Sequence, residues 1–574
     1  MSGRQLLFFL LFSSITLTCL PQQPDTNDER LKRLVNQYGQ ADVEVHPATK
    51  NDAELLFLNT SVYQVRDGVI SVSLSPLTVE WFIGRRFDYK IIEKRQVRSI
   101  EYATDVKQAM QWDAWPSYAQ YDSIMRSFVQ QYPLLCRLDT IGTSIYGRLI
   151  LVLKISDNPS KDEDEPEVFY SSTIHGDEPP GFVLMLRFCD YLLKNYSASP
   201  RIKNMVDNLQ IWINPLANPD GTYRNGNTMT NPTRFNANGY DLNRNFPDPL
   251  QPYSDTFKMQ KETSSMSTFL RERRFVLSAN FHSGAEVVNY PWDRYKAGIW
   301  EKVHADENWF NTISRAYADT VHKYSPAGYM TDLNNGVTRG YLWYPVFGGR
   351  QDFITWELQG REVTIELNND KIPLPSKLES LWQNNFRSLL GYLENAIYGV
   401  HGKVRDEESS KPVSAKVFIK EYDKDSSHVY SDTLTGSFVR MLSAGTWNLS
   451  FAATGYRDTT ITGLNVQDYQ PTELTVYMKK NINPVDTINP TATILYPNPA
   501  SSEINVLFPR AMAGSIRISI YTTTGMLIAD YNAIAVAGIP LMIDVGRFGP
   551  GVYTVIFKND SKGMIIRARF VIIR

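Results

Sequence analysis

Thr173 to Gly181 reads Thr-Ile-His-Gly-Asp-Glu-Pro-Pro-Gly, and His175 and Glu178 are its residues with the types and spacing for chemistry. An apolar, β-rich run, Val168-Phe169-Tyr170, precedes them, and Phe182 to Leu193 follows with apolar residues on a helical pattern. The pair therefore falls where a strand ends and a helix begins. A spacing of three in such a turn can bring an imidazole and a carboxylate to one point, which is what a zinc ion asks of its first two ligands. A helix N-terminus with a capping acid has the same residues, so the metal reading needs a third ligand from elsewhere. His282 is the best one: it stands just past the apolar strand beginning at Phe275, at the open end where α/β proteins place their sites. Of the seven histidines, His46, His401 and His428 fall in other regions, and His304 and His322 lie in a polar helical stretch with no strand to aim them.

Between these ligands runs Arg234 to Pro247, a polar loop holding Arg234, Asp241, Asn243 and Arg244. Guanidinium forks suit carboxylates and oxyanions; a solvated loop with salt bridges is the plainer alternative. Asn218-Pro219-Asp220-Gly221 reads as a tight turn in which proline fixes φ and Gly221 takes a positive φ. Further on, Tyr344 stands before Gly348-Gly349, and Glu366 sits in a β-branched, apolar strand. A buried strand carboxylate is costly unless it is paired or functional. A general base would account for it.

The elements that must position these residues alternate strand and helix. Tyr121 to Tyr132 reads as an amphipathic helix stopped by Pro133, and Arg137 to Ile155 as a strand pair turning at Ile145 to Arg148. With the strand Leu209 to Asn214, the pattern predicts one large α/β domain with a mixed sheet over residues 112–397. Residues 20–111 read as a small α/β domain followed by Lys94, Arg95 and Arg98 in a cleavable polar segment. A removable prodomain and a permanent accessory domain both fit. Short strands and turns over 398–480 predict a β-sandwich without a catalytic constellation. A Pro/Asn linker covers 481–492, and a second β domain, 493–574, opens at Tyr496-Pro-Asn-Pro499, makes a hairpin around Thr524-Gly525 and ends in one final strand.

Composition narrows the classes. The chain has 574 residues and a net charge of -2, which gives no reason to expect nucleic acid as partner. Three cysteines exclude a disulfide framework; a Cys136–Cys189 bridge and two buried thiols both remain open. Residues 1–19 read as a secretory signal, with Arg4 before the apolar stretch Leu6 to Leu17. Cys19 is a candidate for lipid attachment, which the bulk of Thr18 weakens. No other stretch is long and apolar enough to predict a transmembrane helix.

Taken together, His175-x-x-Glu178, Asn218 to Gly221, Asp241-Leu-Asn243-Arg244-Asn-Phe-Pro247, His282, Tyr344 with Gly348-Gly349, and Glu366 resemble the zinc metallocarboxypeptidases. The closer likeness is to the regulatory, carboxypeptidase N/E-like branch, which ends its catalytic domain in a transthyretin-like domain. The resemblance implies one Zn2+ on His175, Glu178 and His282, with Asp241 orienting the first histidine. It implies Glu366 as general base, Arg234 polarising the scissile carbonyl, and Asn243, Arg244 and Tyr344 holding the substrate's C-terminal carboxylate. Gln351, at the pocket position of the digestive enzymes, is neutral; Asp293, after Tyr290-Pro291-Trp292, would instead pair with a terminal Lys or Arg. The alternative is that Asp293 merely begins a charged loop. Ser283 departs from the regulatory branch and matches the digestive one. Residues 493–574 resemble the C-terminal sorting domain of type IX secretion in the Bacteroidetes, implying that secretion machinery as a partner and a secreted or cell-surface location. The expected function is removal of C-terminal Lys or Arg from peptides and proteins. A cell-wall peptidase acting on diaminopimelate peptides, and an inactive surface-binding protein keeping the fold, are the other readings.

Overall fold

A computed structural model describes residues 26–93, 102–248, 258–294, 303–481 and 492–573. The expected signal, the Lys94, Arg95 and Arg98 segment and all but the ends of the 481–492 linker lie outside them. The chain forms two compact units, residues 1–94 and 95–574. In the first, helices Asn27–Tyr38 and Lys50–Asn59 each start at a threonine capping box, Thr26 with Glu29 and Thr49 with Asp52. They accompany a four-stranded sheet in the order Ser61–Arg66, Val69–Leu74, Ala41–Val45, Tyr89–Ile91.

The second unit begins earlier than the sequence implies. Ala103 and Ala109 pack into the same apolar core as Trp115, Phe182 and Tyr223. The four-residue helix Val106–Ala109 is too short to show a periodicity that assigns it to either domain. Helix Tyr118–Gln131 starts a few residues before the expected Tyr121, because Ser117 and Gln120 close a capping box there.

Its centre is an eight-stranded mixed sheet, ordered Val337–Arg339, Ala285–Tyr290, Arg361–Asn368, Phe275–His282, Glu167–Ser172, Gln210–Asn214, Leu149–Ile155, Cys136–Thr143. The four middle strands run parallel, and antiparallel neighbours flank them. Parallel strands need cover on both faces. One face carries helices Pro180–Asn195, Glu307–Tyr324 and Leu378–Glu394 over a core including Phe182, Phe281 and Leu389. The other carries Lys261–Arg271 and Arg350–Glu357 over Phe169, Trp212, Phe269 and Phe353. Cys136 and Cys189 are both buried and both free thiols, so the possible bridge is not formed.

Residues 399–478 make two small sheets of three and four strands around Val404, Phe438, Leu449 and Phe451. A buried charge cluster joins them to the domain of the eight-stranded sheet. Asp306, just before the helix Glu307–Tyr324, accepts from Arg361 Nη2 at 2.6 Å and from Arg440 Nη1 at 2.7 Å. Arg361 opens a central strand, whereas Arg440 closes the strand Ser437–Arg440 of the β domain. Arg361 also donates to Ser427 O, and Arg440 to Asp423. Residues 494–572 again form sheets of three and four strands. Their end is a hairpin, Gly551–Asn559 paired with Met564–Ile572, where the sequence predicts one final strand. The Asp560–Lys562 turn and left-handed Gly563 reverse the chain.

Candidate active site

The carboxyl ends of the middle strands meet at one place. The strand Glu167–Ser172 delivers Thr173, which holds φ at +60°, an unusual conformation for a β-branched residue. That turn places His175 and Glu178 between the strand's end and the helix beginning at Pro180. The strand Phe275–His282 ends on His282, whose Cα is registered opposite Glu366 on the neighbouring parallel strand.

Asn218 to Gly221 supports the first turn, though not as its glycine implies. The segment is a single helical turn, with Asn218 accepting from Gly221 N, and Gly221 has no positive φ. Glycine is needed there for contact. A Cβ on Gly221 would lie 2.6 Å from Phe235 O and 2.9 Å from Thr233 O. A Cβ on Gly176 would run into the backbone of Gly221 and Thr222. Two turns distant in sequence thus touch backbone to backbone, and Asn218 Nδ2 donates to Ile174 O across the contact.

His175 Nδ1 lies 3.0 Å from Glu178 Oε2, His282 Nδ1 lies 2.8 Å from the same oxygen, and the two Nδ1 atoms are 3.0 Å apart. Two nitrogens and a carboxylate oxygen converging in this way, all buried, fit the donor set of a tetrahedral zinc site. Burial pushes the His282 pKa down to about 4, so the ring is neutral and able to ligate at ordinary pH. Asp241 ties three partners together. Its Oδ1 is 3.1 Å from His175 Nε2 and accepts from Asn243 N, and its Oδ2 accepts from Arg234 Nε at 2.8 Å. Arg234 is buried and reaches Glu178 Oε1 through Nη1 at 3.2 Å.

Asn243 Oδ1 accepts from Arg350 N at 2.9 Å, which leaves its amide nitrogen facing the other way. Arg350 is itself held by a bidentate bond to Glu362 in the core. Arg244 donates through Nη1 to Asn243 O. Burial raises the Tyr344 pKa to about 12, against the pull of Arg244 and Arg234. Burial, and then the charge of Glu178, push the Glu366 pKa well above the ordinary carboxylate range. Its Oε2 finds no hydrogen-bond partner among the described residues.

Asp293 and Gln351, alternatives in the sequence, are neighbours here. Gln351 Nε2 and Asn289 Nδ2 both donate to Asp293 Oδ1, at 2.9 and 2.8 Å. Asp352 accepts from the main-chain N of Asp293 and of Arg294. Burial raises the Asp293 pKa to about 6. Both Asp293 and Arg294 are buried, and the rest of the charged stretch lies outside the described residues.

Sequence reasoning missed two residues. Lys371 Nζ lies 3.2 Å from both Asp177 Oδ2 and Glu178 Oε1, and Asn280 lies beneath His282. Asn280 was legible, since it sits two residues before His282 on one strand. Lys371 was not, because a lysine in a polar loop has no pattern to mark it.

Two imidazoles and a carboxylate, a second carboxylate beside them and an arginine behind are the equipment of a metal-dependent hydrolase. Residues 121–388 match the zinc carboxypeptidase family model, and residues 494–573 match the secretion system C-terminal sorting domain. Carboxypeptidase D of Homo sapiens is 34% identical over 354 residues, 60% of this chain and 25% of that protein. The catalytic chain of carboxypeptidase N from Mus musculus is 32% identical over 402 residues, 64% of this chain and 87% of its own. A crystal structure of carboxypeptidase A from Helicoverpa armigera overlays 62% of this chain and 96% of its own at TM-score 0.46 and 18% identity. The chain thus matches only a quarter of carboxypeptidase D but most of the carboxypeptidase N chain. It belongs to the zinc carboxypeptidase family.

Proposed function

We propose that this protein is a secreted or cell-surface zinc carboxypeptidase that releases C-terminal Lys or Arg from peptides and proteins. The observation that carries the hydrolytic reading is the convergence of His175 Nδ1, Glu178 Oε2 and His282 Nδ1, with Glu366 in register beside His282. A zinc ion on these three would supply Lewis acidity to the scissile carbonyl and acidify the attacking water.

The chain's own residues do the rest. Arg244 and the outward amide of Asn243 hold the substrate's terminal carboxylate, and Tyr344 covers it. A positive clamp at fixed reach from the ligands selects the last peptide bond and excludes internal ones. Arg234, anchored through Asp241, faces the negative charge that grows on the carbonyl oxygen. Glu366 takes a proton from the water and passes it to the leaving amine; a raised pKa suits a group that must both accept and give. The preference for Lys or Arg is supported by Asp293, a buried carboxylate whose Oδ1 is fixed by two amides. The match at residues 494–573 supports export through a type IX system, with the secretion machinery as partner.

The test is release of the last residue from matched peptides ending in Lys, Arg, Phe or diaminopimelate, with and without a chelator. Chelator-sensitive release of Lys and Arg alone is expected. Release of Phe at equal rate removes Asp293 from its role, preference for diaminopimelate moves the substrate to the cell wall, and no release with no bound zinc overturns the enzyme.

A further inference from the structure

Asn280 is fully buried two residues before His282, so the pleat of their strand puts both side chains on one face of the sheet. Its amide stands 2.8 Å from His282 Nε2, the ring nitrogen that faces away from His175 and Glu178. The assigned orientation turns Nδ2 to the ring and leaves Oδ1 without a hydrogen-bond partner among the described residues. Amide nitrogen and oxygen are exchanged by a simple flip. With Oδ1 unheld, the ring's own demand decides which atom faces it.

That demand follows from the other side of the ring. Nδ1 of His282 is the atom that turns to Glu178 Oε2 and His175 Nδ1. A neutral imidazole has one N–H and one lone pair, so an Nδ1 that gives its lone pair to a cation keeps the proton on Nε2. Nε2–H needs an acceptor, and the only acceptor an amide has is its oxygen. We infer that Asn280 is a positioning residue of the metal site: its amide oxygen accepts the His282 Nε2–H, which fixes the ring's tautomer and plane. It does for His282 what Asp241 does for His175, with a neutral acceptor in place of a charged one. A second carboxylate here would add negative charge to a buried cluster that already holds Glu178, Asp241 and Glu366.

The inference rests on His175, Glu178 and His282 binding a metal, and the test separates the two. Zn2+ affinity of the full chain is measured by competition with a chromophoric chelator for the wild type, Asn280→Leu and Asn280→Asp, each with a thermal melt. Leucine neither donates nor accepts, and aspartate only accepts. Loss of a ring-orienting partner lowers affinity on the order of 10–100-fold, so Asn280→Leu falls by that factor and Asn280→Asp stays near the wild type. Unchanged affinity in Asn280→Leu overturns the inference while leaving the metal site intact. An equal fall in Asn280→Asp, with a wild-type melt, overturns the oxygen-first orientation. A wild type that binds no Zn2+ overturns both readings. Should Asn280→Asp not fold, the His282 Nε2 proton decides: it is a slowly exchanging downfield resonance in the Zn2+-loaded wild type and is lost in Asn280→Leu. The same resonance persisting in Asn280→Leu overturns the inference.

Discussion

In the mechanism proposed above, Glu366 is the residue on which turnover would depend most. Glu366→Gln removes the proton acceptor but keeps the shape, so kcat should fall by about 10²–10⁴-fold while bound zinc stays at the wild-type level. Metal analysis beside the kinetics separates this from damage to the ligands. Asp293 gives a prediction in pH. Burial raises its pKa to about 6, so it loses its charge as pH falls through that value. Then kcat/KM for peptides ending in Lys or Arg drops below about pH 6, and a Phe-ending peptide does not follow the same profile; parallel profiles for both peptides would sink the pocket assignment. The cluster of His175, Glu178 and His282 was legible in the sequence because the first two follow one strand, the third ends another, and their order is distinctive. Lys371 was hidden for the opposite reason: only the folded loop carries its ammonium to Glu178.

At the scale of elements, the contact between the His175 turn and the Asn218 turn explains why a site residue needs a partner forty positions on. The sequence identified the second turn but misread its glycine, because a glycine selected for positive φ and one selected for close approach look identical in a string of letters. A methyl group at Gly176 has no room against Gly221 and Thr222. Gly176→Ala should therefore cost about 1–3 kcal/mol of stability by overpacking and weaken Zn2+ binding, both read from melts with and without the metal. A variant with unchanged melt and affinity would show that the two turns move apart freely. The sheet order, too, lay beyond the sequence, since apolar strands of similar length carry no label for their neighbours.

At the scale of the whole molecule, Asp306 ties the β domain to the sheet that bears Glu366. Burial pushes its pKa up, but Arg440 and Arg361 outweigh that and hold it well below the ordinary carboxylate range. A folded pKa lowered in this way contributes stability above the unfolded value of about 3.9 and loses it as pH falls further. Asp306→Ala leaves two buried guanidinium groups without their shared partner and should destabilise by about 3–5 kcal/mol, measured by denaturant unfolding at neutral pH. In acid the wild type and the variant should converge. Composition and turn spacing could suggest a succession of domains but not this junction, because its residues come from three segments far apart in sequence. The two sequestered thiols give the molecule a clock of its own. With Cys136 and Cys189 unbridged and out of reach of solvent, an alkylating reagent can modify them only when the catalytic domain opens, so the labelling rate read at these two positions counts opening events without any engineered probe.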